Sequence, residues 1–82
     1  MIRGVEQIDY DGPVPVWRQV HDLLAGRIER GEIPPGRPIP SKRTLSQEYG
    51  VAGNTVEKAV RLLKDEGLVE GVQGRGVFVR SR

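Results

Sequence analysis

Three polar residues, Asn54, Thr55 and Lys58, stand close together at the start of a stretch with helical periodicity. An asparagine amide can form two hydrogen bonds with adenine, and a threonine can contact a thymine methyl group or a phosphate. A lysine can reach guanine acceptors or the phosphate backbone. Side chains near the N-terminus of a helix can reach base edges in a major groove. The alternative is an ordinary solvated face, which any surface helix shows.

Ser41, Lys42 and Arg43 open a second stretch with helical periodicity. The free backbone N–H groups of a helix start can receive a phosphate, and the guanidinium fork of Arg43 can grip one. The alternative is an ordinary helix start with exposed cations.

Gln73, Gly74 and Arg75 form a third group, in a glycine-rich segment between two short apolar runs. A bare glycine backbone can approach sugar and phosphate, and Arg75 can then enter a minor groove or clamp a phosphate. Arg80 and Arg82 can add backbone contacts. The alternative is a tight turn with an exposed arginine.

Groups of residues typical of catalysis or metal binding are missing from the sequence. The chain has no cysteine, and His21 is its only histidine, which excludes thiolate and histidine-rich metal sites. Ser41 and Ser46 have no neighbouring histidine, and the glycines at 74 and 76 lack the strand and helix that flank a nucleotide-binding loop. We therefore predict no enzymatic activity and no cofactor, and a packing or surface role for His21.

Three helices must position the candidate groups. The first has Pro15 in its first turn and stops at Gly31. Its apolar stripe consists of Val16, Val20, Leu23, Leu24 and Ile28. The second begins at a Ser41 N-cap, runs to Gly50 and buries Leu45 and Tyr49. The third extends over residues 53–66 and ends at Gly67. Its apolar stripe consists of Val56, Ala59, Val60 and Leu63.

A hairpin follows the third helix. Residues 68–73 and 77–80 have strand-like patterns, and the glycines between them allow a tight turn. Arg37 to Ile39 form a possible short edge strand, and Phe78 is expected in the core. The predicted fold is mainly α with a small β-hairpin: a winged helix-turn-helix of three helices and a two- or three-stranded antiparallel wing. Residues 1–12 are expected to form an N-terminal arm and residues 13–82 the domain.

Length and charge limit the function classes. With 82 residues, the chain is long enough for one small domain. The net charge of +2 is unevenly distributed, because the last twelve residues contain three arginines and no acid. A cationic element of this kind favours a polyanionic partner, although a solubilising tail is the alternative. No apolar run approaches a membrane span, and we expect a cytoplasmic, nucleoid-associated protein.

Four segments, in this order and spacing, carry a family resemblance: ERGEIPPGRPIPSKRTL, YGVAGNTV, LLKDEGLVE and QGRGVFV. From about Pro15 to Val79 the sequence resembles the DNA-binding domain of GntR-type bacterial transcription regulators. The resemblance implies a winged helix-turn-helix that binds duplex operator DNA, usually as a homodimer on an inverted repeat. We expect repression more than activation, because repression needs only occupancy of a promoter and a domain of this size has little surface to recruit polymerase. By family position, the contacts with DNA fall on Arg43, Asn54, Thr55, Gln73, Gly74 and Arg75.

Members of this family normally continue into a C-terminal domain that binds a metabolite and dimerises. The sequence stops at Arg82, so we expect no small-molecule effector to bind these residues. The family usually has arginines near the positions of Gly53 and Glu57, and often a serine cap where Ala52 stands. The missing cap is expected to cost the third helix about 1 kcal/mol. Glu57 is expected to repel phosphates but can accept from a cytosine amino group.

Two other function classes remain open at this stage. Gly53 and Glu57 favour a winged-helix module that docks on another protein through its third helix and hairpin. An RNA-binding winged helix is the third candidate, but the sequence offers no exposed aromatic pair for base stacking.

Overall fold

The structure, a computed structural model, describes residues 8–81 of the chain. Within this range the elements are α1 (Val16–Glu29), α2 (Lys42–Tyr49), α3 (Gly53–Asp65), β1 (Val69–Val72) and β2 (Gly76–Val79). This order confirms the predicted winged helix-turn-helix. Arg82 and the first seven residues of the predicted arm lie outside the described range. No helix between residues 8 and 81 combines the length and the apolar character needed to cross a membrane.

The first helix begins one residue later than predicted. Pro15 is the N-cap of α1, with φ −55° and ψ 146°, and it does not belong to the first turn. The helix stops where predicted, because Gly31 follows it with a φ of 79°. Val20 and Leu24 are completely buried on the face that packs against α3.

The helix-turn-helix is set by local signals at both ends of α2. The Ser41 hydroxyl accepts from the backbone N–H of Thr44 at 3.1 Å, as the predicted N-cap requires. At the other end Gly50 has a φ of 68°, and its N–H donates to the Ser46 carbonyl. This left-handed residue terminates α2 and leaves three residues, 50–52, to redirect the chain into α3.

We expect Gly50→Ala to lower the free energy of unfolding by about 1 kcal/mol, because a side chain disfavours the left-handed conformation. A Cβ at Gly50 would meet no atom within 4 Å, so the loss comes from the backbone conformation and not from a clash. Urea unfolding followed by circular dichroism measures it. The matched control is Gly53→Ala, which lies at the start of α3 without a positive φ and should leave stability equal or higher. Equal losses in both variants would contradict this account of the turn.

Buried side chains from all five elements and the loop before α2 form one core. Its members are Val20, Leu24, Ile33, Ile39, Leu45, Tyr49, Val56, Ala59, Leu63, Val69 and Val79. The wing is attached to this core through its base, where Val69 pairs with Val79 and both side chains are buried. Its tip, by contrast, is exposed.

The possible edge strand at Arg37 to Ile39 is present in reduced form. The Val79 N–H donates to the Arg37 carbonyl at 2.9 Å, and the Ile39 N–H donates to the Val77 carbonyl at 2.9 Å. An isolated bridge joins Pro38 to Phe78. Strand β2 therefore lies between β1 and this segment, which fixes the wing to the loop that precedes α2.

The prediction that Phe78 belongs to the core is wrong. Side chains alternate along a strand, and β2 directs Val77 and Val79 towards the core. Phe78 consequently lies on the other face of the wing, where it is half-buried. Its cross-strand partner, Glu70, is exposed.

Candidate nucleic-acid interface

An open groove lies between the start of α2, the side of α3 and the tip of the wing; we call it the α3–wing groove. Its polar lining consists of Ser41, Lys42, Glu57, Arg61, Lys64 and Arg75. The apolar floor includes Leu45 and Val56, which belong to the core, so the groove rests directly on the hydrophobic core. Residues from three separate elements thus face a common space.

The charge of this groove contrasts with that of a second surface depression. The α3–wing groove is lined by four cationic side chains and one acidic side chain. The other depression, around His21, is lined by Asp22, Glu29 and Glu66 and by no lysine or arginine. The two depressions are therefore lined by side chains of opposite predominant charge, and the cationic one lies beside α3.

The predicted group at the start of α2 is divided by the structure. Ser41 and Lys42 line the groove, and the Ser41 hydroxyl also caps α2. Lys42 Nζ lies 2.8 Å from Glu57 Oε2 and pairs with it. Arg43 is exposed but does not line the groove, and it forms no ion pair with any residue from 8 to 81.

The two residues predicted to contact DNA at the start of α3, Asn54 and Thr55, also differ in their exposure to solvent. Asn54 is the second residue of α3 and is exposed, whereas Thr55 is half-buried and its N–H donates to the Ala52 carbonyl at 3.1 Å. Asn54 lies one helical turn before Glu57 and two before Arg61, on the same stripe of α3. Asn54 therefore continues the polar side of the groove towards the N-terminus of α3.

Lys58 takes a position that the sequence did not reveal. Its Nζ lies 4.7 Å from the centroid of the ring of Trp17, a residue of α1. This cation–π contact joins α1 to α3. Lys58 therefore has a structural partner, and it is not among the residues that line the groove.

The predicted turn residues form the tip of the wing. Gln73, Gly74 and Arg75 connect β1 to β2 and all three are exposed. Gly74 has a φ of 78°, and the Arg75 N–H donates to the Val72 carbonyl at 2.9 Å, which closes the turn. Gly76, predicted as part of the connection, is the first residue of β2. Arg75 borders the groove on the side opposite α3.

Sequence reasoning did not single out Arg61 and Lys64, which complete the cationic lining of the groove. A signal for them was present. They follow Glu57 at intervals of four and three residues, which places them on one side of a helix. Lys64 extends beside β1, where its Nζ would lie 3.4 Å from a Cβ at Gly71.

His21 is a packed residue, in agreement with the sequence interpretation. It is 5% exposed, and its ring lies between two carboxylates. Nδ1 lies 2.8 Å from Asp22 Oδ1, and Nε2 lies 2.6 Å from Glu66 Oε1. These contacts connect α1 to the residue that follows α3. The described residues contain no group of three histidine, cysteine, aspartate or glutamate side chains arranged to hold a metal ion.

Known proteins resemble both the sequence and the fold. The HTH-type transcriptional repressor NagR of Bacillus subtilis (strain 168) is 36% identical over 72 residues, which is 88% of this chain and 30% of that protein. The mannosyl-D-glycerate transport/metabolism system repressor MngR of Escherichia coli (strain K12) is 38% identical over 70 residues, 85% of this chain and 29% of that protein. The chain thus spans about a third of the length of these relatives, which are named as regulators and not as enzymes.

A solved structure extends the similarity to a protein bound to DNA. The crystal structure of AraR(DBD) in complex with operator ORX1 has a TM-score of 0.81 and 35% identity, and the match covers 89% of this chain and 94% of that one. The sequence model of the family described as bacterial regulatory proteins, gntR family, matches residues 17–79. These residues include α1 from its second residue, all of α2 and α3, and the whole wing, and the chain belongs to the gntR family of bacterial regulatory proteins.

Proposed function

We propose that this domain is a sequence-specific duplex-DNA-binding transcription regulator that acts as a repressor. Helix α3 enters the major groove, the N-terminus of α2 contacts phosphates, and the wing tip contacts the backbone or the minor groove. The observation that carries the proposal is the α3–wing groove, where cations from α2, α3 and the wing border one space. The names of NagR and MngR, both repressors, support repression.

An opposite arrangement, with the wing and α3 facing different ways, would prevent both elements from reaching the same DNA segment. Arg75 lines the groove together with Glu57 and Arg61, and Asn54 lies on their stripe of α3. This common orientation supports simultaneous contact by α3 and the wing. Glu57, which favoured a protein-docking module on sequence grounds, is paired with Lys42, and this ion pair offsets part of its repulsion of a phosphate partner.

The wider biological setting is part of the same proposal. Two copies of the DNA-binding unit occupy an inverted-repeat operator as a homodimer, in the cytoplasm and associated with the nucleoid. The individual DNA contacts are assigned to Ser41, Lys42, Arg43, Asn54, Thr55, Lys58, Gln73, Gly74 and Arg75. Lys58 is assigned to the backbone beside Trp17, because its cation–π contact holds it towards α1.

Binding to duplex DNA at two salt concentrations tests the central claim. Fluorescence anisotropy with labelled genomic fragments should give an affinity that falls steeply with salt, because cations that neutralise phosphates release counterions. Promoter fragments should compete better than random duplex of equal length. Absence of binding at low salt, with the fold intact, would remove the proposal and leave the protein-docking module as the function to test.

We expect Arg75→Ala to weaken binding to every duplex and to reduce the slope of log K against log salt by about one. Arg75 is exposed at the wing tip and supplies one phosphate contact, so its loss should not depend on base sequence. The measurement is the same titration at several salt concentrations. Arg18→Ala is the matched control, because Arg18 pairs with Asp22 at 3.4 Å and does not line the groove. An Arg75→Ala protein with unchanged affinity and salt slope would contradict the role of the wing tip.

A further inference from the structure

Glu57 is the one acidic side chain that lines the α3–wing groove. It lies on the groove side of α3, one turn after Asn54, and its side chain is 55% exposed. An acid in this place opposes the attraction between the groove and phosphates. We therefore ask which interaction with DNA a carboxylate at this position can make and a neutral or cationic side chain cannot.

Lys42 holds this carboxylate through a bridge from α2 to α3. Its Nζ lies 2.8 Å from Glu57 Oε2, across 15 residues of sequence. The aliphatic part of Lys42 passes over the first residue of α3, where a Cβ at Gly53 would lie 3.6 Å from the lysine Cδ. The lysine stem therefore packs over the start of α3, at a distance that would be ordinary van der Waals contact even for a Cβ. Lys42, Gly53 and Glu57 form one unit, which we call the α2–α3 bridge.

The bridge fixes the charge of Glu57 and leaves part of the carboxylate accessible. The hydrogen bond from Lys42, followed by the attraction of its charge, lowers the pKa of Glu57, and Arg61 lowers it further. Lys42 contacts Oε2, and no hydrogen bond with residues 8–81 engages Oε1. An ionised carboxylate can only accept hydrogen bonds, so a group on DNA that pairs with Oε1 must be a hydrogen-bond donor.

Among the groups on the edges of base pairs in the major groove, cytosine N4 and adenine N6 are the donors. Adenine also presents the N7 acceptor beside its amino group, and a carboxylate repels it. Cytosine presents its amino group without that acceptor. The donor that suits Glu57 is therefore the cytosine amino group.

We propose that Glu57 is a specificity-determining residue that accepts a hydrogen bond from cytosine N4, and that Lys42 is the positioning residue that aims the carboxylate and offsets its repulsion of phosphates. This inference rests on the proposed binding of α3 in the major groove. It assigns to Lys42 a second task beside phosphate contact, which its three N–H donors permit.

Selection from randomised duplex DNA, followed by sequencing, tests the role of Glu57. The wild-type domain should enrich cytosine on the order of tenfold at one position of each half-site. In Glu57→Gln the side chain keeps its shape but can pair with adenine N6 and N7, so the preference at that position should move from cytosine to adenine. All other positions should retain their preferences, and melting curves confirm that both proteins are folded.

Two further variants test the role of Lys42. Lys42→Met keeps the apolar stem over Gly53 and removes the ammonium, so the cytosine preference should fall several-fold at the Glu57 position. Lys64→Met, the matched control, removes another groove cation that does not contact Glu57. It should weaken binding to all duplexes and leave the cytosine preference intact. An equal effect of both variants on that preference would overturn the positioning role.

The outcomes separate this inference from the function on which it rests. If the wild-type domain enriches no sequence, the proposed sequence-specific function fails, and the inference fails with it. If it enriches a site whose base preferences are identical in wild type and Glu57→Gln, the proposed function stands and the assignment of Glu57 alone is overturned.

Discussion

Leu24→Ala is expected to lower the free energy of unfolding by about 2–5 kcal/mol, the largest loss that we predict for a single substitution. Leu24 has no exposed surface and lies on the face of α1 that packs against α3. Its truncation removes buried methyl groups and leaves a cavity that the three-helix core can close only partly. Domains of this size have a total stability on the order of 4–12 kcal/mol, so much of it would be lost.

Thermal unfolding followed by circular dichroism measures this effect. In a domain of 60–100 residues each 1 kcal/mol shifts the melting temperature by about 4–8 °C, so we expect a decrease of about 8 °C or more. Leu23→Ala is the matched control, because Leu23 is the neighbouring residue of α1 and is only half-buried. It should lower the melting temperature by clearly less. Similar shifts in both variants would argue against the packing of α1 on α3 as the main support of the fold.

The elements of this fold were predictable where the signal is local. Ser41 caps α2, Gly50 adopts the left-handed conformation that ends it, and Gly67 does the same after α3. The hydroxyl of Ser41 bonds to a backbone N–H three residues away, and the two glycines adopt a positive φ, so each signal involves only a few neighbouring residues. The boundaries of the wing differ from the predicted ones by one residue, because they depend on pairing between strands and not on a local signal. Gly76, for example, belongs to β2 because it pairs with Val72 on the other strand.

The side-chain contacts of the site were less predictable, because they depend on how separate elements pack. Lys58 rests on Trp17, which is 41 positions away, and Lys42 reaches Glu57 from a different helix. Sequence periodicity assigns a residue to a helix face but gives no distance to another helix. The error on Phe78 has a different cause, because it concerns only which face of β2 points to the core. Val79 is buried, and side chains alternate along a strand, so the neighbouring Phe78 lies on the opposite face.

These contacts change how the departures from the family pattern are understood. Gly53 and Glu57, taken separately, remove one cation and reverse the charge of another. The structure joins them, since Lys42 crosses the glycine and pairs with the acid. A groove that retains four cations can still attract phosphates. Under the proposed role of Glu57, we expect the altered residues to act on base preference more than on attraction to DNA.

Asn54→Ala is expected to produce the largest loss of sequence discrimination, about 1–3 kcal/mol at each base pair that the amide reads. Asn54 is exposed in the first turn of α3, where a helix that enters the major groove meets base edges. Its amide can donate to adenine N7 and accept from adenine N6, and alanine can do neither. Because alanine favours helix, the variant should keep its fold.

The measurement compares affinity for the selected operator with affinity for random duplex at one salt concentration. Asn54→Ala should lose on the order of tenfold or more on the operator and little on random DNA, and selection should show relaxed preference at one or two positions of each half-site. Its salt slope should equal that of the wild type, because the substitution removes no charge. Arg75→Ala provides the crossed control, with equal losses on both DNAs and a reduced slope. If Asn54→Ala behaved like Arg75→Ala and lost affinity equally on both DNAs, Asn54 would be a backbone contact, and base recognition would have to lie elsewhere on α3.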